Sequence, residues 1–325
     1  MSKPHTIVVH GVSSADEVPR LHELADRAEI RVAPDGGALA AQLPGADVLL
    51  GWKFSAKDLR AAWPQAQQLR WIHWCGAGVD AALFPELAQS NVALTNVRGI
   101  FDRAMAEYTL GLVLSFAKEL PRTLRSQQQH LWDYRLVDMM QGRTALVVGV
   151  GSIGKSIGKL LTANDMHVVG VGRSRRDGGE HFSEIHAIDK LNELLPLADY
   201  VVLITPLTDA TRGLFGQQQF ALMRNTALFI NLGRGALVDE AALIVALKAQ
   251  TIAGAALDVF EQEPLQPHSP LWDMANVIVS PHMSGDYIGY HSAMADLFID
   301  NFARYANSHT LMNLVDKQLG FVASE

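Results

Sequence analysis

The segment around Gly149 restricts the possible folds more than any other part of the chain. The apolar run TALVV reads as a buried strand, and Gly149-Val150-Gly151-Ser152-Ile153-Gly154 follows it directly. Helical spacing then runs through Ser156–Ala163. Strand, glycine turn and helix in that order are the start of a βαβ unit that binds a dinucleotide. Each glycine has its own task. Gly149 permits the tight turn, Gly151 lets a pyrophosphate approach the backbone, and Gly154 lets helix and strand pack closely. The backbone of Ser152 and Ile153 opens the helix, where unpaired N–H groups face the phosphates.

About 20 residues beyond such glycines, an NAD site carries Asp or Glu for the ribose 2′-hydroxyl. This chain reads Gly172-Arg173-Ser174-Arg175-Arg176 there. A carboxylate would repel a 2′-phosphate, whereas Arg173 and Arg175 clamp one, with Ser174 as a further donor. NADP(H) is therefore the favoured cofactor, and NAD(H) remains possible.

The rest of the chain supplies partners for this unit. At 325 residues, two domains are expected. Short apolar runs at Thr6–His10, Asp47–Gly51 and Leu69–Trp74 read as strands, with a helix expected over Ala15–Ala28. A long helix is expected at Asp102–Ala117, ended or kinked by Pro121, with helical spacing resuming through Leu124 and Leu131. A second set of strands follows at Ala145–Gly149, Val168–Val171, Tyr200–Ile204, Ala227–Asn231, Ala253–Leu257 and Val277–Ser280, and a last helix at Ser292–Tyr305. Apolar runs separated by helices predict an α/β architecture of parallel sheets covered on both faces.

Composition removes other classes. The formal charge is −7. Phosphate neutralisation needs clustered cations, so neither a nucleic acid nor an anionic membrane is an expected partner. The single cysteine, Cys75, cannot build a disulfide framework or a thiolate metal centre, and no metal is expected. With no signal-like pattern over Met1–Val18 and no long apolar run, a cytoplasmic location is expected.

Three downstream segments carry a resemblance. They are Ile230–Asp239 (INLGRGALVD), Ala255–Leu265 (AALDVFEQEPL) and Ser280-Pro281-His282. With the glycine motif, and with Gly76–Asp80 (GAGVD) and Thr205-Pro206-Leu207-Thr208 in support, the chain resembles the D-isomer-specific 2-hydroxyacid dehydrogenases. The Trp52 region, GAGVD and the arginine loop look most like the NADPH-dependent glyoxylate/hydroxypyruvate reductases within that family.

The resemblance implies two doubly wound domains. A Rossmann cofactor domain, 99–286, is inserted into a flavodoxin-like substrate domain made of 1–98 and 287–325. It implies that Arg234 holds the substrate carboxylate and keto oxygen, that His282 donates the proton, and that Glu263, directly before Pro264, pairs with His282. The Ala77 and Gly78 amides bind the carboxylate, and Trp52 lines the substrate mouth. Asp258 faces the nicotinamide, while Thr205, Pro206, Leu232, Ser284 and Gly285 complete the cofactor site. A homodimer is implied through Lys118–Arg135.

The residue types suit the reaction. Hydride addition to a 2-keto acid makes its oxygen negative, and a permanently charged arginine stabilises that charge. A histidine titrates near working pH and exchanges the proton, and a neighbouring carboxylate raises its pKa. The expected activity is reduction of small 2-keto acids to D-2-hydroxy acids. The alternative is a non-enzymatic, dinucleotide-sensing interaction protein of the same fold, like the corepressors that keep the same triad. Departures from the family stand at Met283–Tyr287, where relatives have a small-residue run, and at Arg98. The latter is either a second carboxylate ligand or, as favoured here, an interdomain ion pair.

Overall fold

The computed structural model describes residues 5–53 and 56–323. The chain forms two compact units, one holding the residues up to Ile100 and from Tyr287 onward, the other Phe101–Asp286.

In the first unit, five parallel strands are β1 (His5–His10), β2 (Ala28–Ala33), β3 (Val48–Gly51), β4 (Trp71–Trp74) and β5 (Ala93–Asn96), in the order β2-β1-β3-β4-β5. This is the flavodoxin-like order. Strands β1, β3 and β4 are buried along almost their full length around apolar centres, as parallel strands covered on both faces are. Leu39, Leu43, Leu49, Ile72 and Leu87 centre one of the packed cores. The helix Tyr290–Ala306 belongs to this unit; its Phe298 stacks on Trp71 at 5.5 Å.

The expected helix over Ala15–Ala28 is instead two short 3-10 turns, Ala15–Glu17 and Leu21–Leu24. Pro19 between them lacks an N–H, and Arg20 takes a left-handed conformation at φ 59°. Of the expected apolar face Val18, Leu21, Leu24 and Ala25, the first three are buried and Ala25 is exposed.

The second unit holds a seven-stranded sheet. Its strands are β6 (Thr144–Val148), β7 (His167–Gly172), β8 (Glu184–Ala187), β9 (Tyr200–Leu203), β10 (Leu228–Asn231), β11 (Gly254–Leu257) and β12 (Val277–Val279). The order β12-β11-β10-β9-β6-β7-β8, all parallel, is the Rossmann arrangement with one strand more than the six expected. Phe215, Phe220 and Phe229 pack with ring centroids 5.0–6.0 Å apart on this sheet. The helix Asp102–Ala117 ends at Lys118. Glu119 turns left-handed, and Pro121 sits in the first turn of a new helix, Leu120–Gln128, because a proline needs no N–H partner there. Leu131 lies beyond that helix, in an irregular segment. No helix among the described residues is long and apolar enough to cross a membrane.

Candidate active site

Sheet order reverses between β6 and β9, so a crevice opens beyond their C-terminal ends. Gly149 follows β6 at φ 114°, and a Cβ there would lie 2.6 Å from the Ile204 carbonyl carbon and the Thr205 nitrogen. A Cβ on Gly154 would lie 1.9 Å from the Gly149 oxygen. Both glycines are therefore demanded by close backbone packing. Gly151 differs: a Cβ there would meet nothing within 4 Å, so its bareness serves open space rather than the protein's own contacts. The helix Ser152–Thr162 starts at that point with no side-chain cap, leaving its first N–H groups for an anion.

Arg173, Ser174 and Arg175 are exposed just past the end of β7. Thr205 is half-buried and Pro206 exposed past the end of β9. The Leu232 N–H bonds the Leu203 oxygen, which extends the ladder of β9 and β10 by one residue. These features fit a dinucleotide.

Arg234 stands just past β10. The Asn231 side chain shapes this turn, accepting from the Gly233 N–H at 3.1 Å and donating to the Arg234 oxygen at 3.1 Å. The Arg234 Nη1 donates to the Gly233 oxygen at 2.8 Å. Gly235 brings this turn against Phe260, since a Cβ would fall 1.9 Å from the Phe260 carbonyl. Glu263 lies three residues on, where its Oε1 accepts from the Phe260 N–H at 3.0 Å. Its Oε2 accepts from His282 Nδ1 at 2.7 Å. The structure thus brings Glu263 and His282 into direct contact, with Arg234 near enough to act on the charge of both.

The hydrogen bond from Glu263 raises the pKa of His282 above the usual histidine value, against the opposing effect of burial. Burial pushes Glu263 upward, but the His282 bond, the Phe260 N–H and the positive charges of His282 and Arg234 outweigh it, so its pKa is lowered. The pair is therefore set to hold a carboxylate beside an imidazole that retains its proton to higher pH.

His282 adopts φ 53°, and the loop that carries it is tied down from beneath. The Asp258 carboxylate is 1% exposed and accepts from the Ser280 hydroxyl at 2.6 Å, the Met283 N–H at 3.0 Å and the Ser284 N–H at 2.9 Å. These three bonds make Asp258 an anchor for the loop that carries His282. Gly285 packs 3.3 Å from the Phe101 side chain, as measured from an added Cβ. Sequence reasoning missed the part played by Ser280. Ser280 lay within a quoted motif, but nothing local distinguished its hydroxyl as a partner for Asp258, 22 residues away.

In the first unit, Trp52 follows β3 and is buried, with its ring stacked on His291 at 5.7 Å. His291 stacks in turn on Tyr290 at 4.0 Å. Ala77 and Gly78 are half-buried in the turn after β4. Cys75 beside them is buried, and burial pushes its thiol pKa up, which keeps it a protonated packing residue. Among the described residues no group of three or more His, Cys, Asp or Glu side chains is arranged to hold a metal ion.

Residues 110–284 match the model of the D-isomer specific 2-hydroxyacid dehydrogenase NAD-binding domain. That match covers more than half of the chain, and the chain belongs to this family of NAD(P)-dependent dehydrogenases. A glyoxylate reductase of Thermofilum pendens is 33% identical over 260 residues, which are 78% of this chain and 77% of that protein. A D-3-phosphoglycerate dehydrogenase of Methanocaldococcus jannaschii is 30% identical over 93% of this chain, but the chain spans only 57% of its length. Among solved structures, the NADPH-dependent glyoxylate/hydroxypyruvate reductase of Sinorhizobium meliloti, in complex with NADP and sulfate, superposes with a TM-score of 0.83. It is 29% identical, and the match covers 98% of this chain and all of that one.

Proposed function

We propose that this protein reduces small 2-keto acids of the glyoxylate and hydroxypyruvate type to D-2-hydroxy acids, with NADPH preferred to NADH. The observation that carries the reading is the 2.7 Å pair of Glu263 and His282 beside Arg234, on the sheet that also bears the glycine turn. The second unit holds the dinucleotide on Gly149–Gly154, Thr205, Pro206, Leu232, Asp258, Ser284 and Gly285, with Arg173, Ser174 and Arg175 on the 2′-phosphate. The first unit offers Trp52 and the Ala77 and Gly78 N–H groups to the substrate. The cofactor, when bound, supplies the hydride.

Arg234 binds the carboxylate and the carbonyl oxygen and stabilises the charge that develops there. His282 has its Nδ1 committed to Glu263, so Nε2 gives the proton to that oxygen. Glu263 keeps the imidazolium charged and aimed until the transfer occurs.

The protein acts as a cytoplasmic homodimer in this reading. The segment after Gln128 exposes Leu131, Trp132, Tyr134, Leu136 and Met139, with Trp132 97% exposed. Ion pairs of Arg122 with Asp133 and of Arg135 with Glu119 hold the segment in place, so its apolar side chains are presented rather than folded away. A rigid apolar arm of this kind fits a second copy of the chain.

The test is NADPH consumption with a panel of 2-keto acids, using protein shown separately to bind NADPH. Turnover of glyoxylate or hydroxypyruvate supports the reading. Tight NADPH binding with no turnover on any member of the panel would instead favour the corepressor-like interaction protein.

A further inference from the structure

We infer that Asn96 is the positioning residue that aims the carboxylate-binding N–H groups of the turn after β4; the inference rests on the function proposed above. Asn96 ends β5, beside Trp74 at the end of β4, and is 3% exposed. Its Nδ2 donates to the Ala77 oxygen at 2.6 Å, and its Oδ1 accepts from the Arg98 N–H at 3.1 Å. The adjoining Val97 N–H bonds the Gly76 oxygen at 3.4 Å.

These bonds determine where the N–H groups of the turn point. Across a trans peptide the C=O and the following N–H point in opposite directions. Anchoring the Gly76 oxygen to Val97 therefore turns the Ala77 N–H away from the 96–98 segment. Anchoring the Ala77 oxygen to Asn96 does the same to the Gly78 N–H. Neither N–H has an acceptor among the described residues, and both residues are partly exposed. Two successive outward N–H groups form a small anion-binding concavity, suited to a carboxylate.

A brace from the far end of the chain holds the clamp. Asn313, at φ 57°, donates from Nδ2 to the main-chain oxygens of Asn96 at 3.3 Å and Arg98 at 2.9 Å, and its main-chain oxygen accepts from the Asn96 N–H at 3.3 Å. The next residues pair with β5, where Val315 N–H bonds the Leu94 oxygen at 2.8 Å. The wholly buried Asn301, on the helix Tyr290–Ala306, grips the Met312 peptide from both sides, at 2.7 and 3.1 Å. Asn301, Asn313 and Asn96 thus transmit the position of the last helix to the substrate turn without touching substrate.

The experiment compares the wild type with Asn96→Ala and Asn313→Ala as full chains, each checked for folding by thermal melt. Asn96→Ala is expected to raise KM for the keto acid about 10- to 100-fold, the size of a weakened pair of charge-assisted bonds. It should raise the inhibition constant of oxamate in parallel. Both kcat and the KM for NADPH stay within about threefold, because the lost interaction binds ground and transition states alike. Asn313→Ala moves the same constants in the same direction by about threefold, and it decides the matter should Asn96→Ala not fold. An unchanged keto-acid KM, or a fall in kcat at constant KM, overturns the inference while leaving the proposed reaction standing. A wild type that turns over no 2-keto acid overturns both.

Discussion

Gly235→Ala is a sharp test of how the Arg234 turn and the Glu263 segment are assembled. The added Cβ would lie 1.9 Å from the Phe260 carbonyl carbon and oxygen and 2.4 Å from the Glu261 nitrogen, where ordinary contact begins at 3.4 Å. The two backbone segments must then separate by about 1.5 Å, because both contacts are to main chain and no rotamer relieves them. Phe260 cannot move alone, since its N–H is bonded to Glu263 Oε1 at 3.0 Å. The displacement is passed to the carboxylate and thence to His282, bonded at 2.7 Å. A misplacement of about 1 Å at reacting groups costs roughly 100-fold in rate. Overpacking at such a site costs roughly 1–3 kcal/mol of stability. Steady-state kinetics should therefore show kcat/KM for the keto acid down about 100-fold, with a lowered melting temperature and NADPH affinity within about twofold of wild type. The glycine turn that receives the pyrophosphate is on another strand, which is why most of the affinity is spared. A folded variant with kcat/KM within about threefold of wild type would refute this account of the site.

Three other outcomes are expected. Arg173→Ala combined with Arg175→Ala raises KM for NADPH by about 10- to 100-fold and leaves that for NADH nearly unchanged; equal effects on the two would remove the 2′-phosphate role. Glu263→Gln removes the partner that raises the His282 pKa, so the proton is lost at lower pH and the alkaline limb of the reduction profile moves to lower pH; an unmoved limb would dissociate the pair from the chemistry. Trp132→Asp with Leu136→Asp puts charge on the exposed arm and should give a monomer by light scattering at micromolar concentration, whereas an unaltered dimer would assign the interface elsewhere.

What could be read from the sequence depended on burial. Strands such as β6, β9 and β10 lie inside the sheet, so they are apolar over most of their length and stood out. Strands β2 (AEIRVA) and β8 (EIHA) lie at sheet edges, carry charged residues, and gave no comparable run. The apolar spacing across Val18, Leu21 and Leu24 announced burial correctly but not its backbone, because Pro19 and Arg20 break the helix that the spacing implied.

The same division holds at the site. The glycine turn is a local code, in which Gly149 and Gly154 answer clashes one strand or a few residues away and Gly151 leaves open space. The Glu263–His282 contact spans 19 residues and entered through a family likeness rather than through spacing. The Asn96–Asn313 clamp spans 217 residues and joins the Asn313 side chain to the Asn96 main chain with no periodic signature, so only the folded chain displays it.

The most direct test of the central claim follows the hydride itself. NADPH carrying deuterium at the transferable C4 position is given with hydroxypyruvate, and the product is analysed for isotope and for chirality. D-glycerate bearing deuterium at C2 is expected, formed faster than with equally labelled NADH. L-glycerate, a product without deuterium at C2, or no product from protein saturated with NADPH would contradict the claim.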